Sequence, residues 1–139
     1  MIITEGILKA TVIHALSGRS VIGIPGVDNM ASIPSLFREL TSLKRVYEAM
    51  DMDKYMPVEC DGNEKNCDNC DGPDICPCKA DKREKIRKAC NKLLGISKDY
   101  ERILMRWDYS LVGGKTIWNG NVKGLDDWLL YEKRKENAL

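Results

Sequence analysis

Histidine is almost absent from this 139-residue chain, with His14 the single example. That scarcity excludes histidine-rich metal sites and acid–base machinery built on a histidine pair. Long apolar runs are also missing. No stretch approaches the roughly eighteen residues that a membrane-spanning helix needs. Met1-Ile2-Ile3-Thr4-Glu5 lacks the basic start and apolar run of a secretory leader, so a cytoplasmic location with no membrane partner is expected. A dominant charge is missing as well. The formal net charge is +1, from 22 basic and 21 acidic residues, which gives no general pull toward nucleic acid or lipid. The glycines near 23–26 and 113–114 form no phosphate cradle, and no catalytic constellation stands out. A binding role is therefore expected ahead of an enzymatic one.

What remains is an ordinary globular composition, 43% hydrophobic and 31% charged, with one conspicuous excess. Of six cysteines, five fall between Cys60 and Cys78. The chain length suits a single small domain, 1–139, able to bury roughly two-thirds of its surface. Residues 59–80 read as a cysteine-rich subdomain within it. From Glu59 to Cys78 the chain carries six acidic residues, one lysine and one bulky aliphatic residue, Ile75. Apolar burial cannot order such a segment, so a metal-held loop is expected.

The spacing sharpens this. Cys67-x2-Cys70 lets two thiolates converge on one ion through a tight turn. Gly72-Pro73 permits a reversal, and Cys76-Pro77-Cys78 can return two more ligands. Cys67, Cys70, Cys76 and Cys78 would complete a tetrahedral zinc site, with Cys60 able to replace one of the last two. An iron–sulfur cluster is the alternative cofactor, and disulfides need an oxidising compartment. Cys90 falls on an apolar stripe with Ile86 and Leu93 and reads as a buried thiol. Acidic Asp68 and Asp71 argue against a redox dithiol at Cys67 and Cys70.

Beyond the cysteines the charge reverses. Lys79 to Arg106 holds ten basic and four acidic residues. Arg83, Arg87 and Lys88 are the candidate nucleic-acid contacts on a basic helix spanning 82–92. The neighbouring acidic segment would repel the same phosphates. A zinc-binding protein-interaction or regulatory module, with another protein as partner, is accordingly the leading expectation. A nucleic-acid-binding regulator and an iron–sulfur electron carrier follow it.

The expected fold class is α+β. Ile7–Leu16 and Val21–Ile24, joined by Ser17-Gly18-Arg19-Ser20, read as an N-terminal β-hairpin with Leu8, Ala10, Val12, His14 and Leu16 on its core face. On that reading His14 is a satisfied structural residue. Apolar residues at steps of three and four from Ile33 to Met50 predict a helix with Ser32 as its cap. Further helices are expected around Ile86–Leu94, from Ser97 to Trp107 and from Leu125 onward. A second short hairpin, Tyr109–Val112 with Lys115–Trp118, should turn at Gly113-Gly114.

Overall fold

A computed structural model describes residues 1–54, 76–94 and 100–137. In order these form β1 (Ile2–Glu5), α1 (Ile7–Ser17), β2 (Val21–Ile24), a 3₁₀ turn (Val27–Ser32), α2 (Ile33–Glu39) and β3 (Arg45–Glu48). A second 3₁₀ turn (Met52–Lys54) precedes α3 (Pro77–Leu94), β4 (Glu101–Leu104), β5 (Tyr109–Val112), β6 (Lys115–Trp118) and α4 (Leu125–Asn137). The mixture of helices and strands agrees with the sequence. The principal sheet has four strands in the order β2-β1-β3-β4, and every pairing is parallel.

The first correction falls at the N-terminus. The expected hairpin is a β1–α1–β2 crossover, and Ile7–Ser17 is a helix. Its β-branched residues suggested a strand, but the 3.6-residue period decides which side chains are buried. Ala10 and Ile13 face inward, while Leu8 of the expected core face is 83% exposed and His14 is exposed. The supposed hairpin turn is a helix stop: Gly18 takes the left-handed conformation (φ 66°), and its N–H donates to the His14 carbonyl at 2.8 Å. Gly6, at φ 89°, allows the chain to pass from strand to helix in one residue. Gly23 of β2 admits α1 closely, since a Cβ there would lie 2.7 Å from the Gly6 carbonyl oxygen.

The second correction concerns the long helix. It stops at Glu39, where the Leu40 N–H returns to the Phe37 carbonyl. Arg45–Glu48 is a strand instead, between β1 and β4. Val46 and Tyr47 satisfied both a helical stripe and a strand, and pairing on both sides decided between them. The helix expected over 97–107 is likewise replaced at 101–104 by β4, which pairs Glu101–Leu104 with Arg45–Glu48. The β5–β6 hairpin and α4 occur where the sequence placed them.

Both faces of the parallel sheet are covered. Ile3 and Val46 pack with Ile33 and Phe37 of α2 on one side. Ile2 packs with Ile13 of α1, Trp107 and Leu125 of α4 on the other. A sheet buried on both faces needs apolar residues in succession rather than in alternation, as Ile2-Ile3 and Val21-Ile22 supply. Fully buried Ile13 anchors the second layer, where truncation to alanine should cost about 2–5 kcal/mol. α3 packs on α2 and on both 3₁₀ turns.

Candidate functional site

In a parallel sheet the carboxyl ends of the strands open toward the loops, and ligands bind where successive connections leave in opposite directions. Here the chain leaves β1 toward β2 on one side and returns to β3 on the other, so the switch lies between β1 and β3. The register places Ile3 beside Glu48. The Ala49 N–H donates to the Ile3 carbonyl, and Thr4 Oγ1 donates to the Ala49 carbonyl. Glu5 at the end of β1 and Asp51 just beyond β3 therefore leave the sheet at the same edge. The Asp51-Met52-Asp53 segment continues from there into the second 3₁₀ turn.

Cations converge on these acids from three elements. Lys9 of α1 donates to Asp51 Oδ1 at 2.5 Å, and Asp51 is only 5% exposed. Lys123, from the loop before α4, lies 2.9 Å from Asp53 Oδ2 and 3.6 Å from Asp51 Oδ2. The Met52 N–H donates to the Lys123 carbonyl at 3.0 Å, fixing that loop on the turn. Burial opposes the charge on Lys123, but its bonds to Asp53 and Asp51 outweigh this and raise its pKa. Arg83 of α3 is close enough to Asp53 and Cys76 for both to favour its charge, although burial dominates and draws its pKa down. Asp126 adds a fourth carboxyl group. Burial, then the neighbouring Asp127, raises its pKa, against the pull of Lys9.

Several polar atoms in this cluster are buried without a hydrogen-bond partner, among them Asp53 Oδ1, Asp126 Oδ1 and Arg83 Nη1. Folded proteins pair the great majority of such atoms. Among the described residues no three carboxylate, thiol or imidazole groups already form an ion cage; lysines instead pair with Asp51 and Asp53. The arrangement combines acceptors suited to a hard cation with donors suited to an oxyanion.

Of the residues singled out from the sequence, Arg83 alone of the three basic candidates reaches this cluster. Arg87 and Lys88 are exposed and share Glu84, at 2.8 and 3.8 Å. Their charge is partly compensated within α3 itself. Cys76 is fully buried immediately before α3, and Cys78 lies in its first turn. Cys60, Cys67 and Cys70 lie outside the described residues, as does the side chain of Cys90. His14 is exposed and has its Nδ1 2.7 Å from the Arg19 carbonyl oxygen.

Sequence reasoning did not single out Lys9, Asp51, Asp53 or Lys123, and read Asp126 only as a favourable charge in the first turn of the last helix. A signal was present: Asp-Met-Asp directly follows the run Val46-Tyr47-Glu48-Ala49-Met50, and Glu5-Gly6 directly follows Ile2-Ile3-Thr4. Acids that end apolar runs become neighbours once both runs are strands of one parallel sheet. Compared with family models, curated proteins and solved structures, the chain matches none.

Proposed function

We propose that the carboxyl edge of the parallel sheet binds a phosphate ester, a nucleotide or nucleic-acid strand, together with a divalent cation. The observation that carries this is the pair of buried orphans, Asp53 Oδ1 and Arg83 Nη1, on side chains near enough to interact. A cation–phosphate unit supplies what each lacks: positive charge for the carboxylate oxygen and an acceptor for the guanidinium. Magnesium suits such an edge, since it is held through one or two carboxylates plus substrate phosphates and keeps several waters. Asp53 and Asp51 are the proposed oxygen ligands, with Glu5 beside them. Lys9 and Lys123 would release carboxylate oxygens to the cation and turn to the phosphate. A cation so placed can polarise a phosphoryl oxygen and orient a leaving group, which opens phosphoryl transfer to this fold. The exposed basic face of α3 would then meet the flanking phosphates, as in the nucleic-acid reading of the sequence.

The test is manganese(II) binding followed by electron paramagnetic resonance, with and without a short single-stranded oligonucleotide. Wild-type protein should bind the ion, and the ion should tighten oligonucleotide binding at least tenfold. Asp53→Asn and Asp51→Asn should each abolish that coupling. Coupling retained by both variants would overturn the proposal.

A second reading concerns the thiols and is favoured by one observation: Cys76, a polarisable nucleophile, is fully buried beside the charged cluster. Zinc held by four of Cys60, Cys67, Cys70, Cys76 and Cys78 would act as a structural clamp in a reducing, cytoplasmic setting, with a protein partner as the rival role. Elemental analysis of protein purified without oxygen separates colourless zinc from the visible bands of an iron–sulfur cluster.

A further inference from the structure

The loop that carries Lys123 to the carboxyl edge has a second side. Its backbone is tightly held. Asp108, a non-glycine residue at φ 50°, accepts the N–H groups of Asn121 and Val122 at 2.7 Å each and Asn121 Nδ2 at 3.1 Å. The Val122 carbonyl accepts from the indole nitrogens of both Trp107 and Trp118, at 3.2 and 3.1 Å. Next to this loop lies a cavity of about 630 Å³, lined in part by Arg106, Trp107, Tyr109, Trp128, Tyr131 and Lys135.

We infer that this cavity receives an unpaired nucleobase, with the attached phosphate directed to Arg106 and Lys135. The inference rests on the phosphate-ester reading only for the identity of the ligand. Its volume lies within the range of about 300–1,000 Å³ typical of small-molecule pockets. Tyr109 and Tyr131 leave 47% and 44% of their surface exposed, apolar area that a stacked base would cover. Trp128 and Tyr131 lie 5.7 Å apart at 32°, a tilted platform rather than a closed edge-to-face pair. Aromatic faces of this kind take any base, because every base has a π-face. Lys135 Nζ lies over the Tyr131 ring, 4.4 Å from its centroid, so a base stacking on that face would turn the ammonium toward its own phosphate. The carboxylate of Asp108 also lines the cavity, but its three bonds to the loop engage its oxygens.

The placement ties the cavity to the carboxyl edge. Trp107 donates its backbone N–H to Met52 Sδ, and Met52 in turn donates to the Lys123 carbonyl. One strand could place a phosphate at Asp53 and Arg83 and an adjacent base in the cavity. A duplex could not, since its bases are already stacked on one another.

The experiment is a tryptophan-fluorescence titration in EDTA, so that no cation takes part. The probes are adenosine monophosphate, inorganic phosphate, an eight-nucleotide single strand and the matching duplex. Adenosine monophosphate and the single strand should quench, phosphate should not, and the duplex should bind at least tenfold more weakly than the single strand. Tyr131→Ala and Tyr109→Ala should each weaken binding about tenfold, the loss expected from one stacked base. Lys135→Gln should reduce its salt dependence. Absence of quenching by adenosine monophosphate, or wild-type affinity in both tyrosine variants with unchanged circular dichroism, overturns the inference even if manganese binding at Asp53 is normal. Quenching that persists where manganese binding fails supports the cavity and removes only the reading of the carboxyl edge.

Discussion

Two buried carboxylates stand three residues apart on one segment and are neutralised in different ways. Glu48, on β3, is fully buried, and Arg102 of the adjacent strand places Nε and Nη2 on Oε2 at 2.6 and 2.5 Å. Arg102 is itself braced by Asn91 of α3. Asp51, just past the strand end, is held by two flexible lysines from distant elements, next to atoms that have no partner. A planar guanidinium with several fixed donors closes a carboxylate permanently, whereas an ammonium on a four-carbon stem can be exchanged. The sheet interior uses charge to fix the position of β4. The sheet edge holds its charge through contacts that can be exchanged.

That contrast can be broken from either side. The largest effect is expected at the interior pair. Arg102→Met takes the guanidinium from a buried carboxylate and should destabilise the fold by about 3–5 kcal/mol, read as a shift of the urea-unfolding midpoint. Lys9→Met should cost less, roughly 1–3 kcal/mol, because Lys123 still faces Asp51. If the edge binds cation and phosphate, the loss in Lys9→Met should shrink when magnesium and a nucleotide are added, and the loss in Arg102→Met should not. Equal recovery of both variants would erase the proposed distinction.

Smaller effects sharpen it. Asp108→Ala removes the acceptor for three N–H groups and should destabilise by about 1–3 kcal/mol at neutral pH. Burial alone would raise the pKa of Asp108, but the bonds from Val122 and Asn121 outweigh it, and the net shift is downward. A lowered carboxylate pKa stabilises above the unfolded value and is lost as pH falls through the folded one. The difference between wild type and Asp108→Ala should therefore fade below about pH 4.

Asp126 carries the opposite sign. Its pKa is raised, chiefly by burial and then by Asp127, so the folded state binds a proton more readily than the unfolded chain. Its contribution to stability thus falls as pH rises from about 3.9 through its higher folded pKa. Asp126→Asn should gain under about 1 kcal/mol at pH 7 and nothing at pH 3, measured by urea unfolding at the two pH values. A loss at pH 7 would mean that its charge is needed by Lys9 in the folded protein.

The sequence alone determined features whose cause is local. Gly113 and Gly114, both at positive φ, turn the β5–β6 hairpin where two adjacent glycines sit between strand-forming residues. α4 carries Asp126 and Asp127 in its first turn and Arg134 and Lys135 in its last, as the helix dipole favours. The basic helix around 82–92 is also present as part of α3, begun by Pro77. Tertiary structure decided what local pattern left degenerate. Ile7–Ser17 has the composition of a strand and becomes a helix because β1 and β2 pair in parallel, and parallel neighbours need a crossover between them. Val46 and Tyr47 become sheet because partners exist on both sides. The acids that end the apolar runs were visible in the sequence, but their meeting at one charged edge was not. Lys9, Asp51, Asp53 and Lys123 are spread over more than a hundred residues, and only the parallel register of β1 and β3 brings their ends to one place.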